Sequence, residues 1–299
     1  MGGAHSKEFT PRIQKGFGCV AGIPGVHRGK VDTNCGKETG IQTMKTLVRA
    51  QQKGGVGKTS SIVHLAFDFL ERGLRVAVID LDTQGNASFT LRDFTSDYPA
   101  SQLFDQNSDD LRKWFHGLPD GPLMRLIAAD AVLANMEKRS LTDAAVVFKQ
   151  NLTALADSGF DVVLIDTSPA LGVSLASALY AADCVMSPIE LEAYSIQGIK
   201  KMLTTIANIR KLNTKLKFLG IVASKVDARN PRHVRHQDEL KAAYPQLIIP
   251  GGIGLRSSIA DALASGVPVW KIKKTAARKA TQEVRALAAY VFEKMEITQ

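Results

Sequence analysis

Residues 53–59 read Lys-Gly-Gly-Val-Gly-Lys-Thr, and no other string in the chain narrows the possible folds as far. It follows a short apolar run, Thr46-Leu47-Val48, and opens a helix-like stretch from Thr59 to Arg72. A glycine-rich turn between strand and helix aims backbone N–H groups at one point, where the helix adds the positive end of its dipole. That arrangement binds phosphate. The Lys58 ammonium can reach the β- and γ-phosphates of a nucleotide, and the Thr59 hydroxyl can hold Mg²⁺. The ordinary loop has glycine six positions before its lysine. Here Gln52 stands at that place and Lys53 follows it, so the loop is a deviant form with a second lysine ahead of its glycines.

Such a loop needs partners at neighbouring strand ends. Residues 75–82, Arg-Val-Ala-Val-Ile-Asp-Leu-Asp, form a β-branched run ending in two carboxylates. A strand buried on both faces of a parallel sheet has this composition. Ligands of open α/β sheets bind at the carboxyl ends of the strands, which brings Asp80 and Asp82 beside the phosphates. A second apolar run, Phe160 to Ile165, ends in Asp166-Thr167-Ser168-Pro169. One carboxylate after a hydrophobic strand orients Mg²⁺, directly or through water. A strand ending in Asp is common alone; two such ends beside a strand that runs into a phosphate loop, in one α/β pattern, are not.

The rest of the chain fits one large α/β unit. From Met44 onward strands and helices alternate, which predicts a doubly wound, mostly parallel sheet. Strands are expected at 45–50, 75–80, 161–166, 184–188 and 217–223. Helices are expected at 59–72, 141–157, 172–182, 195–212, 232–243, 257–264 and 276–294. Residues 91–140 carry only weak patterns. Residues 1–43 are basic and Gly-rich without sustained periodicity, and are expected to be a disordered extension. The expected domain spans 44–299, and Met44 can serve as an internal start. No apolar run approaches the roughly 18 residues of a membrane span, and the N-terminus has no hydrophobic signal core. Cys19, Cys35 and Cys184 lack metal spacing, which suits a reduced cytoplasmic setting.

The formal net charge is +9. Basic chains favour nucleic acid or anionic membrane surfaces, although a solvated surface explains the charge equally well. Its distribution favours duplex DNA. Arg229, Arg232, His233, Arg235 and His236 lie close together, and Arg256, Lys271, Lys273, Lys274, Arg278 and Lys279 follow. Aromatic interleaving is sparse, so phosphate contact fits better than base stacking. His233 and His236 have helical spacing but no evident third ligand for a metal.

Lys53-Gly-Gly-Val-Gly-Lys-Thr59, Asp80-Leu-Asp-Thr-Gln-Gly-Asn86 and Val163-Leu-Ile-Asp-Thr-Ser-Pro169 together resemble the ParA/MinD family of deviant Walker-A ATPases. Ser187-Pro-Ile-Glu-Leu-Glu-Ala-Tyr-Ser-Ile-Gln-Gly198, Lys225-Val-Asp-Ala-Arg229 and Gly254-Leu-Arg-Ser-Ser-Ile-Ala-Asp-Ala-Leu-Ala-Ser-Gly-Val-Pro268 extend the likeness, which covers Met44 to the C-terminus and points to the plasmid-partition branch. Gln51 and Thr83 depart from the family's usual Asn and Pro.

The resemblance implies a P-loop NTPase fold and a Mg²⁺-dependent ATPase that binds ATP and ADP. Gly54, Gly55, Val56, Gly57, Lys58, Thr59 and Ser60 would hold the nucleotide, and Thr59, Asp80 and Asp166 the metal. Asp82 would position the attacking water. Lys53 would cross the interface of an ATP-dependent homodimer to the partner's nucleotide, completing a catalytic set with Lys58 and Asp82. The dimer would bind double-stranded DNA nonspecifically through Arg256, which aligns with a family arginine, and through Arg229. Lys271, Lys273 and Lys274 are assigned from charge alone. A ParB-type, KorB-like centromere-binding protein would stimulate hydrolysis, and the protein would be cytoplasmic and nucleoid-associated.

Three rivals are weaker. A MinD-like membrane-positioning ATPase needs an amphipathic C-terminal helix with a basic face. Here Glu293 and Glu296 interrupt Tyr290, Val291, Phe292 and Met295. An iron-protein reductase needs two placed cysteines, and only Cys184 lies in the domain. A GTPase would want Asn where Ser224 opens Ser224-Lys-Val-Asp227.

Overall fold

The computed structural model describes residues 43–51, 53–191 and 195–298. The extension expected over 1–43 lies outside them except for Thr43, as do Cys19 and Cys35. The first half of the chain runs β1 (Lys45–Arg49), α1 (Lys58–Glu71), β2 (Arg75–Leu81), α2 (Asn86–Thr90), β3 (Thr95–Pro99), α3 (Ser108–Trp114), β4 (Leu123–Ala128) and α4 (Leu141–Asp157). It continues with β5 (Val162–Thr167), α5 (Val173–Ala181), β6 (Cys184–Glu190), α6 (Ser195–Arg210), β7 (Lys217–Val226), α7 (Pro231–Ala243), β8 (Ile253–Gly254), α8 (Ser257–Ala264) and α9 (Thr275–Lys294).

The strands form one sheet in the order β3-β4-β2-β5-β1-β6-β7-β8, and every neighbouring pair is parallel. The doubly wound sheet expected from the sequence is therefore present. β1 stands where the order reverses. The chain leaves it toward β2, inserts β5 between the two, and then crosses to β6 on the other side. The crevice outside the carboxyl end of such a strand is the ligand position of open α/β sheets.

The continuous apolar strands are explained by two cores. Leu47, Val76, Val78, Val162 and Leu164 face the core under α1, α8 and α9. Val48, Ala77, Ile79, Val163 and Ile165 face the opposite one, with α4 and α5. Side chains alternate between sheet faces, so a strand covered on both must be apolar at every position. Burying each Val, Leu or Ile side chain contributes about 1.5–3 kcal/mol.

Residues 91–140 supply two strands the pattern did not show. β4 pairs with β2 but is interrupted by half-buried Arg125. β3 is an edge strand, Thr-Ser-Asp-Tyr-Pro, with only Tyr98 buried and Asp97 at φ 59°. Edge strands tolerate Asp and Pro because one side forms no ladder.

Candidate nucleotide site

The chain leaves β1 at buried Arg49 and continues along β6. Ala50 N–H donates to the Met186 carbonyl at 3.0 Å, and Gln51 Nε2 donates to the Pro188 carbonyl at 2.9 Å. The loop then turns outward. Val56 pins it by burial while Lys53, Gly54 and Gly55 stay exposed. Gly55 and Gly57 adopt φ of 75° and 79°, which L side chains rarely take. A Cβ on Gly57 would also lie 2.7 Å from Ser224 Oγ. α1 then starts at Lys58 with no side chain capping its N-terminus. Its first-turn N–H groups lack intrahelical partners and face the loop, the geometry that receives phosphate.

Beneath the loop the charges are buried. Lys58 is 6% exposed, and its Nζ lies 3.4 Å from the Lys53 carbonyl. Burial pulls its pKa down, opposed by Asp166 and Asp82. The Thr59 hydroxyl donates to Asp166 Oδ2 at 2.5 Å. Asp166 Oδ1 is buried with no hydrogen-bond partner. Burial, and then the neighbouring Asp80, raise the Asp166 carboxyl to about 7. A hydroxyl and an orphaned carboxylate oxygen beside a phosphate loop fit a hard cation with oxygen ligands.

Asp80 is engaged in the turn that follows β2. Its Oδ1 accepts from Asp82 N–H at 3.0 Å, and its Oδ2 accepts from Ser88 N–H and Ser88 Oγ, both at 2.8 Å. Ser88 Oγ in turn accepts from Ala129 N–H after β4. Both oxygens of Asp80 therefore fix the 82–88 turn, one layer below Asp82 at the end of β2. Asp82 remains at the cavity with one oxygen accepting from Gln84 N–H at 3.1 Å.

A cavity of about 560 Å³ opens above these groups. Gly54, Gly55, Gly57, Lys58, Thr59 and Ser60 form its floor, and Asp82, Pro169, Ser224 and Lys225 its rim. Phe89, Ile253, Leu255 and Ile259 give it one apolar wall. A polar floor with an apolar side suits a molecule with phosphates at one end and a flat ring at the other.

Comparison with known proteins agrees with this geometry. Residues 44–218 match a family described as an AAA domain. Protein IncC of Escherichia coli is 64% identical over all of this chain and 83% of its own length. The chromosome-partitioning ATPase Soj of Thermus thermophilus is 31% identical over 81% of this chain and 96% of its own. The chain belongs to the ParA/MinD family of deviant Walker-A ATPases. Among solved structures, cobyrinic acid a,c-diamide synthase of Mycobacterium smegmatis, with bound ATP analog and magnesium, superposes with a TM-score of 0.64. It is 26% identical and covers 85% of this chain and 96% of its own.

The signature lysine of the family, Lys53, points to the rim. Its Nζ pairs with Glu190 Oε2 at 3.1 Å, and Lys225 Nζ pairs with Glu190 Oε1 at 3.1 Å. Lys225 itself stands at φ 54°, next to last in β7. Neither Glu190 nor Lys225 was singled out from the sequence beyond its place in a family motif. Arg49 was missed outright. It is 0% exposed, and its Nη1 donates to the Lys58 carbonyl at 3.1 Å. Burial lowers its pKa to about 9, with Asp166 opposing. The available signal was an arginine inside an otherwise apolar strand.

The expected DNA contacts divide. Arg256 is only 22% exposed in its side chain, is held by both oxygens of Glu283 and lines the nucleotide cavity. Arg229 is 91% exposed and pairs with Asp227, and Lys274 pairs with Asp261 at 2.6 Å. Lys271 and Lys273 are exposed beside α9. His233 accepts from Asp227 N–H and His236 contacts the Leu191 carbonyl, which occupies both rings structurally.

Proposed function

We propose that the chain is a ParA-type partition ATPase that segregates plasmid DNA through an ATP-controlled cycle of dimerisation and DNA binding. The observation that carries the nucleotide reading is the Thr59–Asp166 pair, with Asp166 Oδ1 left open beneath the uncapped start of α1. Protein IncC and Soj support the partition assignment by their similarity.

In this reading the N–H groups of Gly55, Gly57, Lys58 and Thr59 cradle the phosphates, and Ser60 touches the α-phosphate. Lys58 neutralises the β and γ oxygens. Thr59 would hold Mg²⁺ with support from Asp166, and the ion would supply further charge neutralisation for the polyphosphate. Asp82 orients the water that attacks the γ-phosphorus as the bond to ADP breaks. Phosphoryl transfer is mostly positioning and charge stabilisation, so rigid donors suffice. Lys53 leaves Glu190 and contacts the nucleotide of a second copy, which couples ATP to dimerisation. ATP-bound dimers hold nucleoid DNA through Lys271, Lys273, Arg229 and Lys274. A ParB-type, KorB-like partner at a centromere triggers hydrolysis and release.

A membrane role is disfavoured by α9. Its Ala280, Val284, Leu287, Ala288 and Val291 are buried in the core, and Met295 just beyond it is 2% exposed. That leaves the helix little apolar face for a bilayer. Among the described residues no helix is long and apolar enough to cross a membrane.

The deciding experiment measures binding to a random-sequence duplex with Mg-ATP, Mg-ADP and no nucleotide across a salt series. Salt-sensitive binding with ATP alone is expected. Equal binding in all three states would reduce the DNA contact to general basicity. In parallel, Lys53→Ala is expected to bind ATP yet remain monomeric by light scattering, and ATP-dependent dimers of it would refute the cross-subunit contact.

A further inference from the structure

Arg49 occupies a place where an apolar residue would be expected. It is the last residue of β1, in the centre of the sheet, in register with Asp166 of β5 and Met186 of β6. Leu47, two residues earlier on the same strand face, packs into the core beneath α1. Arg49 instead reaches the first turn of α1 and donates Nη1 to the Lys58 carbonyl at 3.1 Å. Its Nε and Nη2 are buried and have no hydrogen-bond partner. No carboxylate forms an ion pair with it among the described residues.

Such an arrangement is costly in isolation. A buried guanidinium loses its hydration, and two nitrogens without hydrogen-bond partners add to the penalty. An arginine remains protonated across the physiological range, so the charge persists. Nearby, buried Asp166 acts on both buried cations, Lys58 and Arg49, and buried Asp82 acts on Lys58. A polyphosphate arriving at the loop adds further negative charge to this group. With Arg49 absent, Asp166, Asp82 and the phosphates would share the single Lys58 cation.

We infer that Arg49 is a built-in countercharge for the polyphosphate, a positioning residue that supports the Lys58 turn from below and makes the empty site less stable than the loaded one. The inference rests on the nucleotide reading above and deepens it. It assigns the ligand preference of the site to charge, with the more highly charged nucleotide gaining most. Arg49 acts through the field and through the Lys58 carbonyl, and touches no reacting atom.

The test compares the full chain with Arg49→Met and Arg49→Lys. Affinity for ATP, ADP and AMP is measured by isothermal titration in magnesium, and melting temperature without nucleotide. Arg49→Met is expected to lose about tenfold in ATP affinity, less for ADP and least for AMP, following the charge each nucleotide brings to the site. Its nucleotide-free melting temperature is expected to hold level or rise, because an apolar side chain replaces an unpaired buried charge. Arg49→Lys keeps the charge and is expected to retain most of the ATP preference.

Equal losses for all three nucleotides, with a lower melting temperature, would make Arg49 purely structural and overturn the inference. Unchanged ATP affinity would overturn it as well. If Arg49→Met does not fold, Arg49→Lys decides alone: ATP, ADP and AMP affinities all within about threefold of the wild type support the countercharge, and a tenfold loss across all three refutes it. A wild-type chain that binds neither ATP nor ADP would instead sink the nucleotide reading and this inference together.

Discussion

The phosphate-loop floor and the basic surface near α9 both carry the charges that the sequence marks for function, yet they hold them differently. Under the loop, Lys58, Arg49 and Asp166 are buried, and two of them keep polar atoms with no partner. At the basic surface, Arg229 and Lys274 are exposed and already paired with Asp227 and Asp261. A buried unpaired group holds free energy that a ligand can release, because desolvation has already been met. An exposed pair holds little, about 0–1 kcal/mol, and can exchange partners at small cost. Single substitutions should therefore act strongly at the first region and weakly, in proportion to charge, at the second.

The largest effect is expected for Lys58→Ala, which removes the one lysine buried at the loop. ATP affinity should fall about a hundredfold or more, as for a lost charge-assisted contact in a dry site. Titration calorimetry checks this, and undiminished affinity would break the contrast at its strongest point.

Next comes Asp82→Ala. The residue lines the cavity with one oxygen engaged by the Gln84 N–H, so the loop should fold and bind ATP within about threefold. Hydrolysis should drop by about two orders of magnitude. Phosphate release at saturating ATP reads the difference, and normal turnover would remove Asp82 from the water position.

A pH effect is expected at Asp166. In the nucleotide-free fold its carboxyl titrates at about 7, above its ordinary 3.8, chiefly because it is buried. The folded chain therefore holds a proton that the unfolded chain has already released. The stability this group contributes is present below about pH 4 and is lost as pH rises through about 7. Asp166→Asn lacks that loss, so its melting temperature should gain on the wild type between pH 4 and 7 and exceed it at pH 8. A constant difference across this range would show that the buried carboxyl does not titrate there.

The smallest effects belong to the surface. Lys271→Ala with Lys273→Ala should weaken duplex binding several-fold and lower the salt slope by about 2, one for each phosphate contact. Arg256→Ala, whose guanidinium is held by Glu283, should leave that slope unchanged. A slope that changes with Arg256 and not with the lysines would reverse the assignment drawn from exposure.

How far the sequence could be read depended on where each signal originates. The loop was legible because Gly55 and Gly57 stand at positive φ, a local demand that few residues meet. The core strands were legible because both faces are covered. All five expected strands form, and each differs from its expected bounds by at most three residues at either end. β3 and β8 were not legible: one is an edge strand containing Asp97 and Pro99, the other only two residues long. β4 hid behind Arg125. Asp80 and Asp82 look equivalent on one strand end, and only the fold separates them by bringing Ser88 against Asp80.

The sequence alone determined the strand–loop–helix that faces phosphate, the parallel sheet and the family, because backbone conformation and apolar periodicity are local properties. Tertiary structure decided which charges remain available. It closed Asp80 with Ser88 and Arg256 with Glu283, left an oxygen of Asp166 open, and set Arg49 beneath Lys58. The reason is physical: a charge acquires its chemistry from burial and from partners, and the folded chain sets both, whether the partners are 8 residues apart, as Asp80 and Ser88 are, or 107, as Thr59 and Asp166 are.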